Sequence, residues 1–253
     1  VKRAIQICLV GGMSHVDSYD YKPGLTKKQG KTLGAKEKPD IFFGKVGLLR
    51  GSDWEFKQRG ESGLWISEMF PHVAKMADEL TLIRSMVSDS ANHTPALFVS
   101  NSGFQANGFP SLGSWLSYGL GSESEALPSF VVLPDERGGP NGGASNWANG
   151  FLPGQHQGVV FQGGDQPVRD LFPAKTITPA ADRDTRKLID YLNRKHLGKI
   201  GQDEKLLSRI RSYELAARLQ TSIPEVSRYN DEPESIQKLY GIDQKKTADM
   251  GRR

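Results

Sequence analysis

A chain of 253 residues, 37% of them hydrophobic, can bury one sizeable core, and its length suits one large domain or two small ones. The net charge of +4 arises from 33 basic and 29 acidic residues spread along the sequence, so no concentrated basic surface points to a nucleic acid as partner. A single cysteine, Cys8, excludes an intrachain disulfide framework, and no apolar run approaches the ~18 residues of a membrane span.

Residues 4–10 are apolar apart from Gln6 and are stopped by Gly11-Gly12, a pattern that predicts a short buried strand lying centrally in a sheet. Cys8 within it reads as a small buried hydrophobe. No charged segment, apolar signal region or cleavage site lies ahead of this strand, so the expectation is an export signal already removed or never included. From Gly11 to about Gly63 the chain is rich in Gly, Lys, Pro and Asp without periodicity, which reads as a long loop facing a site. Met69, Val73, Met76 and Ala77 then recur at helical spacing and predict a helix over 67–78, with Pro71 near its start. Residues 80–86 read as a second strand, and Thr94-Pro95 opens a helical pattern that ends at Gly103.

A short helix is predicted over 111–118, ended by Gly119, and a third strand over 129–133, stopped by Pro134-Asp135. Residues 136–164 are irregular and rich in Gly and Asn, and their glycines lack the ending and spacing of a phosphate-binding loop. After Pro179 two amphipathic helices follow, one carrying Leu188, Ile189, Leu192 and His196 on a stripe, the other Leu206, Leu207, Ile210, Tyr213 and Ala217 and closed by Pro224. A last short helix spans 234–240 before Gly241. Alternating strands and helices in the first half predict an α/β fold whose mostly parallel sheet has helices on both faces, with ligands held beyond the carboxyl ends of the strands.

Two clusters carry chemistry. In the first, residues 11–20, His15, Asp17 and Asp20 follow the first predicted strand, and an imidazole with carboxylates suits a divalent cation: zinc or manganese, with calcium wanting mainly oxygens. The competing reading has both aspartates capping turns and His15 merely exposed. In the second, residues 88–96, His93 and Thr94 open a helix whose N-terminus can hold an anion such as phosphate or sulfate, while Thr94-Pro95 equally suits an ordinary cap and first turn. His72 and His196 read as packing or surface residues, and His156 as a loop histidine able to approach a site from the side.

Residues 11–23 (GGMSHVDSYDYKP), 70–74 (FPHVA), 84–86 (RSM), 92–103, 150–153 (GFLP) and 157–158 (QG) together resemble the bacterial proteins catalogued as domain of unknown function 1501, over essentially the whole chain. That family is similar to sulfatases and alkaline phosphatases. The resemblance implies a single alkaline-phosphatase-like α/β domain over 1–253, incomplete at its C-terminus, with a helical segment at about 180–241. It also implies metal ligands at strand ends and a periplasmic or secreted location. In sulfatases the nucleophile segment runs Cys-x-Pro-Ser-Arg to a Thr-Gly, and here His93-Thr94-Pro95-Ala96-Leu97 reaches Ser102-Gly103 at the same offset. The nucleophile position then holds His93, which becomes a metal ligand with His15, Asp17 and Asp20, and Thr94 is the nearest hydroxyl. The expectation is a metal-dependent hydrolase of an anionic phosphate or sulfate ester. Its rival is a noncatalytic binding or assembly protein on the same scaffold.

Overall fold

The computed structural model describes residues 3–34, 44–124, 126–135, 138–162, 167–168, 171–174, 176–201, 203–226 and 228–252. They fall into two compact units, residues 1–93 and residues 94–253.

The first unit is organised by a hairpin of β1 (Phe56–Arg59) and β2 (Leu64–Ser67), paired antiparallel with Phe56 opposite Ser67 and Arg59 opposite Leu64. This register puts Leu64 and Ile66 on one face and Phe56 and Trp65 on the other. Ile66 is fully buried against Ala74 and Ala77 of a 3-10 segment, Val73–Glu79, with Tyr19, Leu64 and Phe70 packed around them. Tyr19 stacks on Phe70 at 5.4 Å between ring centroids, and Tyr21 lies 5.1 Å from Phe56 and 4.4 Å from Trp65. The segment after α1 (His15–Ser18) and before α2 (Pro23–Lys27) is thus pinned to both faces of the hairpin. The turn at 60–63 is held from outside, because the Asp78 carboxylate accepts from the backbone N–H groups of Glu61 (3.1 Å) and Ser62 (2.8 Å). These backbone bonds, Ser62 first, hold the Asp78 carboxyl below its ordinary range.

The second unit is mainly helical. In chain order it comprises α3 (His93–Ser102), α4 (Leu112–Leu120), β3 (Val131–Val132), β4 (Val159–Val160), α5 (Pro179–Ile200), α6 (Glu204–Val226), α7 (Glu234–Leu239) and α8 (Ala248–Gly251). Ser111 caps α4 by accepting from Ser114 N–H, Thr178 caps α5 by accepting from Ala181 N–H, and Asp203 accepts from Lys205 and Leu206 N–H at the start of α6. Leu219 and Ile223 of α6 bury themselves with Leu171 among Leu127, Val159, Phe161, Val168 and Leu215. Phe130 sits over Gly113 of α4, where a Cβ would come within 2.4 Å of its ring.

The predicted fold class is overturned. The expected mostly parallel, alkaline-phosphatase-like sheet with helices on both faces is replaced, among the described residues, by two two-stranded sheets in a mainly helical chain. Parallel sheets occur with both faces covered, and of the three runs predicted as strands one finds a partner: Val131–Val132, parallel to Val159–Val160. Residues 4–10 belong to no strand, leaving Ile5 91% and Ile7 80% exposed and Cys8 exposed instead of buried. Residues 80–86 belong to none either, with Met86 77% exposed. The helix predicted over 67–78 becomes the end of β2 followed by the 3-10 segment, and β1 lies inside the stretch read as a long loop. The later helices form where periodicity placed them, α6 running on past Pro224. Among the described residues no helix is long and apolar enough to cross a membrane.

Gly60 adopts φ +63°, and a Cβ there would fall 2.3 Å from an Asp78 carboxylate oxygen. Gly60→Ala is expected to lower the stability of the hairpin unit by at least about 1–2 kcal/mol, the cost of a left-handed backbone for a residue with a Cβ, measured as a loss in urea midpoint against the parent.

Candidate functional site

The loop at 11–20 begins with a turn in which Gly12 N–H donates to Leu9 C=O at 3.0 Å, then forms the single turn α1. Ser18 is fully buried, and its hydroxyl donates to Ser14 C=O at 2.8 Å. Ser14 in turn donates its hydroxyl to Asp17 Oδ2 at 2.6 Å, the short length of a hydrogen bond to a charged acceptor. The hydroxyls of Ser14, then Ser52, hold the Asp17 carboxyl below its ordinary range, with smaller help from the charges of Arg50 and His15. Asp17 is therefore firmly ionised and still partly open to solvent, and His15 on the same turn is exposed.

Asp20 stands differently. Its side chain is 12% exposed, and its carboxylate faces Lys22 Nζ at 3.0 Å and Arg84 Nη1 at 3.7 Å. Two cations already balance its charge, so a metal ion would have to displace them. His93 is exposed at the first position of α3, and Thr94 follows within the first turn. Set against the requirements of a cation, the predicted ligands His15, Asp17, Asp20 and His93 fit as an incomplete set. The structure brings His15 and Asp17 onto one turn, and among the described residues no three His, Cys, Asp or Glu side chains group to hold a metal ion.

The N-terminal turn of α3 is covered by the glycine-rich loop at 141–143. A Cβ on Gly142, whose φ is +83°, would lie 2.6 Å from the Phe98 ring and 3.3 Å from the Thr94 methyl, so the loop approaches closely because it has no side chain there. Buried Asn146 fixes this approach: its Nδ2 donates to Asn141 C=O (2.9 Å) and Gly143 C=O (3.0 Å), and its Oδ1 accepts from Asn101 Nδ2 on α3 at 3.1 Å.

A second feature escaped the sequence reading. The inner face of α4 carries Ser111, Ser114 and Ser117, all buried, while Leu112, Trp115 and Tyr118 face outward, Trp115 44% and Tyr118 55% exposed. Phe151 meets Trp115 edge-on at 5.7 Å, Trp115 meets Tyr118 at 6.3 Å, and Tyr118 meets His156 at 5.4 Å, forming a row of rings. The signal was present as two interleaved repeats of three, one of serines and one of large apolar residues, on a helix whose apolar side is ordinarily taken to face inward.

The family model for Protein of unknown function (DUF1501) matches residues 1–253. The chain belongs to that family, as residues 11–23 and the other segments that resemble it imply. No curated protein and no solved structure matches it.

Asn146→Ala is expected to strip three hydrogen bonds from a buried site and cost about 1–3 kcal/mol, read as a fall in thermal midpoint. Unchanged stability would show that the loop does not depend on this amide to stay over α3.

Proposed function

We propose that this chain carries the cation-binding loop of a metal-dependent hydrolase of phosphate or sulfate esters, acting in the periplasm or outside the cell. The observation that supports this most is the state of Asp17, a carboxylate held ionised by neutral hydroxyl donors, open to solvent, and sharing a one-turn helix with an exposed imidazole. Anionic oxygen and neutral imidazole nitrogen are the donors that zinc and manganese take. His15 and Asp17 would hold the ion, which when bound polarises an ester oxygen and lowers the pKa of an attacking water. In this reading Asp20 orients the loop through Lys22 and Arg84. The location rests on the resemblance to exported proteins.

A second reading, a noncatalytic binding or assembly protein, is favoured by the exposed row of Phe151, Trp115 and Tyr118, since aromatic side chains of this kind anchor interfaces.

Zinc, manganese or calcium at a hundredfold excess over its dissociation constant should stabilise the parent protein by about 2.7 kcal/mol, and Asp17→Asn and His15→Ala should lose that gain together with hydrolysis of an aryl phosphate or aryl sulfate. A melt that none of the three ions moves would remove the hydrolase reading. Trp115→Ala with Phe151→Ala should leave the metal response intact; if this double variant abolishes concentration-dependent association in sedimentation, the second reading gains the surface it requires.

A further inference from the structure

A directional chain of hydrogen bonds crosses the second unit. Arg211 of α6 donates from Nη1 to Gln155 Oε1 at 3.1 Å. Gln155 Nε2 lies 3.1 Å from His156 Nε2, and His156 Nδ1 lies 2.8 Å from Ser117 Oγ on α4. Ser117 Oγ lies 2.6 Å from Ser129 Oγ. The direction of every bond follows from its first member. A guanidinium offers donors and no acceptor, so the amide oxygen of Gln155 must face Arg211 and its NH2 group must face the imidazole. His156 Nε2 therefore accepts, the ring proton resides on Nδ1, and Nδ1–H donates to Ser117, whose own proton goes to Ser129.

This arrangement tolerates one protonation state of the ring. A proton at Nε2 would face the two N–H donors of Gln155, and the amide cannot turn its oxygen to the ring without turning its NH2 group on Arg211. The ring also meets Tyr118 of α4 edge-on at 5.4 Å, and among the described residues the titratable and charged groups found against it are the Arg211 guanidinium from α6 and the Tyr118 phenol from α4; Ser117 and Ser129 are neutral. None of these is a carboxylate that could steady an imidazolium.

We propose that the Arg211–Gln155–His156–Ser117 relay is an acid-sensitive latch, which couples α6 to α4 through the 154–156 turn while the imidazole is neutral and breaks at its Gln155–His156 bond when Nε2 takes up a proton.

Burial first, and the charge of Arg211 second, hold the His156 pKa below its ordinary 6.5. Since the unfolded chain then binds more protons than the folded one between the two values, stability rises with pH across that window. The contribution of the latch is present above the unfolded value of 6.5 and is lost as pH falls towards the lowered folded value. The lowered carboxyls of Asp17 and Asp78 act in a separate window, below their ordinary 3.8.

The test combines imidazole titration by nuclear magnetic resonance with thermal melts between about pH 5 and 8, where histidine changes charge, on the parent, His156→Gln and Gln155→Glu. His156 of the parent should titrate below the ordinary 6.5, and the melting temperature should fall with acid. His156→Gln should flatten that fall. Gln155→Glu places a carboxylate that accepts from both Arg211 and a protonated ring, so it should move the His156 titration upward and reverse the acid loss. The proposal is overturned if His156 titrates at or above the ordinary 6.5, if His156→Gln keeps the parent's pH dependence, or if Gln155→Glu leaves the His156 titration where it was.

Discussion

The seating of Phe130 is the constraint on which the middle of the second unit depends. Its ring occupies space that a side chain at Gly113 would fill, and a Cβ on Gly158 would lie 3.0 Å from the same ring and 2.7 Å from Val132. With both positions reduced to backbone, α4 can approach the β3–β4 pair, where Val159 N–H donates to Phe130 C=O at 2.9 Å and Phe161 N–H to Val132 C=O at 2.9 Å. The same approach brings Ser117 and Ser129 within hydrogen-bonding distance and delivers His156 to them. A larger residue at either glycine would force the ring out, because close-packed interiors offer no slack of that size. The polar relay is therefore a consequence of an apolar ring and two missing side chains.

The first unit solves a comparable problem with polar and aromatic contacts. Its hairpin has four residues per strand, and a hairpin of that size is marginal in water by itself. Asp78 closes the turn from outside, Tyr19 and Phe70 cover one face beside Ile66, and Tyr21 covers the other over Phe56 and Trp65. The loop carrying His15, Asp17 and Asp20 is positioned by these two tyrosines. Its local turn holds the side chains in place, and the tyrosines tie that turn to the rest of the unit.

How much of this was legible depends on the length over which each pattern is read. Helices α3 to α7 were visible because their periodicity extends over several residues, and Gly103 and Gly241, both at positive φ, mark ends where a left-handed backbone favours glycine. The strands were misjudged because apolar runs such as 4–10 and 80–86 declare only that they suit a buried strand, and pairing depends on residues far away in sequence. The hairpin went unseen for the opposite reason. Lys57 and Gln58 make β1 look like loop, and its burial comes from Tyr21 and from cross-strand neighbours rather than from its own composition. At the candidate site the chemical types in the 11–20 loop were legible and their partners were not: nothing near Asp20 in sequence announces Arg84.

That partner difference decides which carboxylate can serve a cation. Asp17 and Asp20 are three positions apart and chemically identical, but their partners differ. Hydroxyl groups, Ser14 first, do most to hold the Asp17 carboxyl low, and they bring no positive charge against it. Lys22 and Arg84 stand against Asp20 with whole positive charges, leaving the surroundings of that carboxylate at best neutral to an approaching ion. Coulomb energy follows net charge, whereas ionisation follows any donor, charged or neutral. In the proposed reading the same motif would hold one residue for a cation and one that fixes the loop, and Arg84, which the motif does not contain, helps make that division.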